Sequence, residues 1–163
     1  MFNIENKNNP TTIEVNSIIF LQNAGKYDDA LDTCKDLFIK YPNSPLLFNI
    51  FAGVNFSKND FTNAIYGYLY AIKIKPNYAQ AFNNLAILLK KLGEINLAIV
   101  SYVKAINLKP DYIMAYNNIG LIYIEINDIQ KSKYFFYKAF KIDPRKEIEN
   151  FNLGNIFFKQ KKN

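Results

Sequence analysis

Four prolines, Pro42, Pro76, Pro110 and Pro144, follow one another at a constant interval of 34 residues. An interval held that strictly requires a repeated structural unit, because a single compact core gives no reason to set a helix breaker at equal steps. The stretch from Tyr78 to Pro110 shows what the unit contains. Phe82, Leu85, Ala86 and Leu89 recur at the spacing of one helical face. A turn at Leu92-Gly93-Glu94 interrupts them, and Ala98, Tyr102 and Ala105 resume the spacing as far as Pro110. The unit is therefore two short amphipathic helices. Its landmarks return before it at Phe48, Phe51, Ala52, Ala64, Tyr68 and Ala71, and after it at Tyr116, Ile119, Gly120, Tyr123, Ser132, Phe136 and Ala139.

The columns of the repeat carry physical reasons. Ala52, Ala86, Gly120 and Gly154 are expected to face Ala64, Ala98 and Ser132, small side chains that let paired helices approach closely. Ala71, Ala105 and Ala139 are expected to do the same toward the following repeat. The turn column alternates Gly25, Asn59, Gly93 and Asn127, the residue types that best tolerate positive φ. Lys40, Lys73, Lys75 and Lys109 crowd the ends of second helices, where a cation complements the helix dipole. Residues 1 to 10, polar and closed by Pro10, read as a disordered leader. Repeats follow at about 11–44, 45–78, 79–112 and 113–146, with a terminal helix over 147–160. In the first repeat, helices are expected over 12–24 and 27–40; Glu14, Ser17, Ile18 and Leu37 depart from the pattern, as a terminal repeat with one face in water is free to do. Ser44-Pro45 opens the second repeat as an N-cap followed by proline in the first turn.

Composition bears on function mainly by exclusion. The chain has no histidine and one cysteine, Cys34, so the usual general base is missing and no internal disulfide or CxxC metal site can form. Cys34 sits in the column of Tyr68, Tyr102 and Phe136 and reads as a small buried apolar residue. Asp28, Asp32 and Asp36 share a helical face with Asp29 beside them, which reads as a dipole contribution and a solvated surface. No phosphate-binding loop is present. Expectations are therefore no catalytic residue, no metal and no cofactor. The net charge of +6 is uneven: residues 1–60 hold five Lys and seven Asp/Glu, and residues 61–163 hold fifteen Lys/Arg and seven Asp/Glu. The lysines read as scattered or confined to helix ends, not interleaved with aromatics, so nucleic acid is not the expected partner. Without an apolar run of spanning length or a signal-like start, neither a membrane partner nor export is expected, and the cytoplasm is the default.

The recurring Phe/Tyr-x2-Leu/Ile/Phe-Ala/Gly, Ala/Ser-x3-Tyr/Phe and final Pro resemble the tetratricopeptide repeat (TPR) motif, with Phe or Tyr replacing its tryptophan, from residue 11 to about 160. The resemblance implies an all-α TPR α-solenoid, a right-handed superhelix of antiparallel helix pairs, with four repeats plus a terminal helix. It also implies that first helices line a concave groove and second helices cover the convex back. The groove columns would then be Val15, Asn49, Asn83, Asn117 and Phe151; beside them Asn16, Ile50, Asn84, Asn118 and Asn152; and further along Ile19, Gly53, Ile87, Leu121 and Asn155. An asparagine amide offers both donor and acceptor, so a row of them can pair with the backbone of an extended peptide. The runs NNLA, NNIG and FNLG are similar to the asparagine ladder of the TPR superhelix in O-linked N-acetylglucosamine transferase, which maps substrate-peptide contact onto Asn84, Asn118 and Asn152; Ile50 breaks the series. The alternative for the same asparagines is cross-linking of neighbouring helices. The carboxylate clamp of chaperone-binding TPRs needs cations where this chain has Val15, Asn49, Asn83, Asn117 and Asn118, and Arg145 lies outside those columns. Phe151, Ile156, Phe157 and Phe158 leave the terminal helix apolar on more than one side, a surface for self-association. The expected function is a non-catalytic scaffold binding an extended peptide segment of a partner in the groove, through Asn49, Asn83, Asn84, Ile87, Asn117, Asn118, Leu121 and Asn152. The alternatives are a substrate-targeting module of a larger glycosyltransferase or sulfotransferase, and a self-assembling solenoid.

Overall fold

The computed structural model describes residues 8–144. The terminal helix over 147–160, with Phe151, Asn152 and Gly154, and most of the leader lie outside the described residues. Among the described residues there are eight α-helices and no strand: α1 (Thr12–Asn23), α2 (Tyr27–Lys40), α3 (Pro45–Ser57), α4 (Phe61–Ile74), α5 (Ala79–Lys91), α6 (Ile95–Leu108), α7 (Ile113–Glu125) and α8 (Ile129–Ile142). The helix pairs fall where the 34-residue period puts them. Contacts divide the chain into two compact units, residues 1–88 and 89–163.

Each hairpin turn is closed in the same way. Gly25, Asn59, Gly93 and Asn127 have φ of 73°, 64°, 82° and 60°, the left-handed conformation expected from their residue types. The N–H that follows each one donates back to the helix just ended: Lys26 to Leu21 O, Asp60 to Asn55 O, Glu94 to Leu89 O and Asp128 to Tyr123 O, at 2.8 to 2.9 Å. Those bonds, paired with ones of 3.0 to 3.1 Å from the N–H of each positive-φ residue to the carbonyl three residues before it, satisfy carbonyls that would otherwise be orphaned at the helix end.

The starts of α1, α3, α4 and α8 use side chains. Ser44 Oγ accepts from Leu47 N at 3.1 Å with Pro45 in the first turn, and Asp60 and Asp128 cap α4 and α8 through the N–H of Asn63 and Lys131. Glu14, atypical for its column, has a structural reason of its own. It completes a capping box, its carboxylate accepting from Thr11 N at 2.9 Å while Thr11 Oγ1 accepts from Glu14 N at 3.3 Å. The same carboxylate accepts from Tyr41 Oη and Lys40 Nζ, so it ties the start of α1 to the end of α2.

In the 1–88 unit, α2 packs on α1 and on α3, and α3 packs on α4. Ile18, Ala30, Cys34, Leu37, Leu47 and Val54 form its core. An aromatic seam runs from α2 through α3 to α4, with ring centroids of Phe38 and Phe48 4.5 Å apart and those of Phe48 and Tyr70 4.4 Å apart. Ala52 and Ala64 are fully buried as expected. Gly67 also approaches Ala52 closely: a Cβ there would fall 2.9 Å from the Ala52 Cβ and 3.0 Å from Phe48 O. In the 89–163 unit, α7 packs on α6 and on α8. Gly120 lies against the Phe136 ring, where a Cβ would sit 2.8 Å from ring carbons, and Ser132 Oγ donates to Gly120 O at 3.0 Å. Tyr102, Ile119, Ile122 and Phe136 are enclosed almost completely, each side chain contributing roughly 1.5–3 kcal/mol by leaving water.

Candidate functional site

The two expected asparagine columns separate once the helices pack. Asn49 and Asn83 are 5% and 0% exposed, whereas Asn84 is half-buried. Neighbouring residues point about 100° apart around a helix of 3.6 residues per turn. When Asn83 turns into the seam, Asn84 is left at its edge. Asn83 Nδ2 donates to Asn84 Oδ1 at 3.3 Å, and Asn84 Nδ2 donates to Asn49 Oδ1 at 3.1 Å. Three amides thus make one hydrogen-bonded chain from α5 to α3. Asn49 and Asn83 differ here from the groove-facing column expected of them: both are enclosed, and the Asn83 Oδ1 has no hydrogen-bond partner. In the 89–163 unit Asn117 and Asn118 are half-buried, and Leu121 is 38% exposed. Ile87 is half-buried beside Asn84.

Two further polar bridges join first helices, and sequence reasoning missed both. Gln22 Nε2 donates to Ser57 Oγ at 2.8 Å and to Gly53 O at 3.2 Å, linking α1 to α3. Lys90 Nζ meets Glu125 Oε1 at 2.6 Å, linking α5 to α7. The Gln22–Ser57, Asn49–Asn84 and Lys90–Glu125 bridges each span 35 residues. That is one residue more than the repeat, and polar pairs at that offset were the available signal.

What remains accessible on the first helices is a short recurring motif. An amide or aliphatic residue is followed three positions later by a neutral one on the same face: Ile50 with Gly53, Asn84 with Ile87, Asn118 with Leu121. The motif can supply hydrogen bonds to a peptide backbone and aliphatic contact beside them. Burial pushes the Cys34 thiol and the Tyr68 hydroxyl up to about 12, which keeps both neutral. Among the described residues no cluster of three His, Cys, Asp or Glu side chains is placed to hold a metal ion, and no helix is long and apolar enough to cross a membrane.

The expected separation of lysines from aromatics is corrected by the structure. Lys73, Lys75, Lys109, Lys131, Lys138 and Lys141 each place Nζ 5.2 to 5.6 Å from a tyrosine ring centroid. Five of the six partners are three or four residues away in the chain, close enough to lay an ammonium over a ring.

Comparison with known proteins agrees with this architecture. The family model described as TPR repeat matches residues 54–93 and 88–127, and the one described as tetratricopeptide repeat matches residues 115–146. Together they run unbroken over more than half of the chain. The protein belongs to the tetratricopeptide repeat family. Among solved structures, it is similar to MamA, with 26% identity over 81% of this chain and 77% of that one and a TM-score of 0.72. The Pseudomonas aeruginosa PilF structure matches over 92% of this chain and 68% of its own at 16% identity, with a TM-score of 0.82. The first TPR of Spaghetti (RPAP3), solved bound to the HSP90 peptide SRMEEVD, matches over 71% of this chain and 92% of its own at 17% identity, with a TM-score of 0.65. The comparison with curated protein sequences gave no match.

Proposed function

We propose that the protein is a non-catalytic scaffold that holds an extended segment of a partner protein against its first helices. Asn84 and Asn118 act as backbone-directed amides, with Ile87 and Leu121 as the aliphatic contacts beside them. The amide chain of the 1–88 unit carries this reading. Asn83 and Asn49 each take one hydrogen-bonding position of Asn84 and fix the plane of its amide. One N–H and one lone pair of that half-buried group are left for a peptide amide, already oriented, so little side-chain freedom is lost on binding. The peptide in the Spaghetti (RPAP3) structure supports the fold as a peptide holder. The present chain has neutral amides at the columns where a carboxylate clamp needs cations, which favours recognition of backbone over recognition of an acidic terminus.

The test is selection of binders from a displayed peptide library, followed by titration of one selected peptide. The variant is Asn118→Ala with Leu121→Ala, whose side chains are accessible enough to leave the melting temperature nearly unchanged. Loss of one hydrogen bond and one aliphatic contact should weaken binding about tenfold. Equal affinity in a folded variant would remove the site from this face. Asn84→Ala is a poorer probe of binding, because it strips the buried Asn49 Oδ1 of its donor at a cost of about 1–3 kcal/mol in stability.

A further inference from the structure

The second helices carry a face that peptide binding on the first helices does not use. On α6 the buried positions are Ala98, Tyr102 and Ala105, and on α8 they are Ser132, Phe136 and Ala139. Away from them, α6 exposes Leu97, Val100 and Val103, and α8 exposes Tyr134 and Tyr137, with Val100 at 65% and Tyr134 at 55%. The spacing of three puts each set along one side of its helix, and the two sets occupy equivalent repeat positions. Lys104, Lys131, Lys138 and Lys141 are exposed with them. Neither helix contains an aspartate or glutamate. Lys138 and Lys141 lie 5.4 Å over the Tyr134 and Tyr137 rings, which holds their ammonium groups beside the aromatic surface.

We propose that the outer faces of α6 and α8 form a peripheral docking surface for an anionic lipid bilayer. Three features of this face match the layers of such a surface. Aliphatic and tyrosyl side chains enter the boundary between headgroups and acyl chains, and tyrosine hydroxyls stay at the wet level. Lysine stems lie along apolar surface while their ammonium groups meet lipid phosphate and carboxylate. Neither helix sets an acid of its own against an anionic surface; of the acids at their starts, Asp128 is paired with Lys131 at 2.9 Å and Glu94 is exposed. Single-stranded nucleic acid matches less well, because bases stack on aromatic platforms and Leu97, Val100 and Val103 offer none. A second copy of the same face would set lysine against lysine.

The test uses the full chain and sedimentation with phosphatidylcholine vesicles, either alone or containing phosphatidylserine. The protein should sediment with the anionic vesicles, stay in solution with the neutral ones, and be released by high salt. Val100→Glu with Tyr134→Glu should weaken vesicle binding by about tenfold or more with unchanged helicity, and Lys138→Gln with Lys141→Gln by about tenfold. No sedimentation with anionic vesicles overturns the proposal, as does equal binding by the glutamate variant. Binding of an acidic amphipathic peptide or of oligouridylate RNA without vesicle binding also overturns it, and reassigns the face to protein or nucleic acid.

Discussion

Helices α2 and α8 hold equivalent places in the first and fourth repeats, and they agree inside and disagree outside. Ala30, Cys34 and Leu37 are buried in α2 at the positions of Ser132, Phe136 and Ala139 in α8. The volumes are exchanged within each set: the first repeat has the small residue where the fourth has Phe136, and the large one, Leu37, where the fourth has Ala139. An exchange that roughly conserves volume is tolerated in a packed interior. Outside, Asp29, Asp32, Lys35 and Asp36 of α2 stand where α8 has Lys131, Tyr134, Tyr137 and Lys138. The repeat therefore constrains how much volume each inner face carries, and leaves the chemistry of the outer face open to change from one hairpin to the next.

The strongest challenge to that view is cavity formation at the shared inner position. Phe136→Ala should cost about 3–5 kcal/mol, because the ring is fully enclosed and packs on Gly120. Cys34→Ala at the equivalent point should cost about 1 kcal/mol. Chemical denaturation of both variants decides the matter, and similar losses would show that the inner faces are not built on exchanged volume.

A second contrast lies at the helix starts. Asp128 caps α8, and hydrogen bonds from the Lys131 side chain and backbone hold its carboxyl below the ordinary value of 3.8. The position before α2 is Lys26, which makes no side-chain cap. A carboxylate with a lowered folded pKa stabilises above its unfolded value and loses that contribution as pH falls through the folded one. The melting difference between wild type and Asp128→Ala should accordingly be present at neutral pH and close below pH 3.8. Lys26→Ala should show no such closing.

The smallest expected effect is on the outer faces. Asp32→Tyr with Asp36→Lys would give α2 part of the α8 surface, and should change stability by no more than about 0.5 kcal/mol. A larger loss would mean that the acidic face supports the first hairpin after all.

These contrasts mark which features were legible in the sequence. The turn column could be read because positive φ selects glycine and asparagine, and the small column because close helix approach selects alanine, glycine and serine. Glu14 looked like a defect of the first repeat because a 34-residue alignment compares columns and does not see a capping box formed with Thr11. Asn83 and Asn84 are adjacent and identical, so no periodicity separates the one that enters the seam from the one at its edge; packing decides. The lysine–tyrosine pairs were readable at three- and four-residue offsets and were passed over by treating the lysines as helix-end charges.

The alternation of the hairpin turns has a consequence for how acid would act on the molecule. The glycine turns at Gly25 and Gly93 are followed by Lys26 and Glu94, neither of which caps its helix, while the asparagine turns at Asn59 and Asn127 are followed by capping Asp60 and Asp128. Both aspartates are held below their ordinary range by the hydrogen bonds they accept. Acidification thus withdraws a cap at each asparagine turn and none at the glycine turns, while Glu14, likewise held low by the hydrogen bonds it accepts, adds an acid-sensitive contact at the start of α1, so amide exchange at low pH would open first at the starts of α1, α4 and α8.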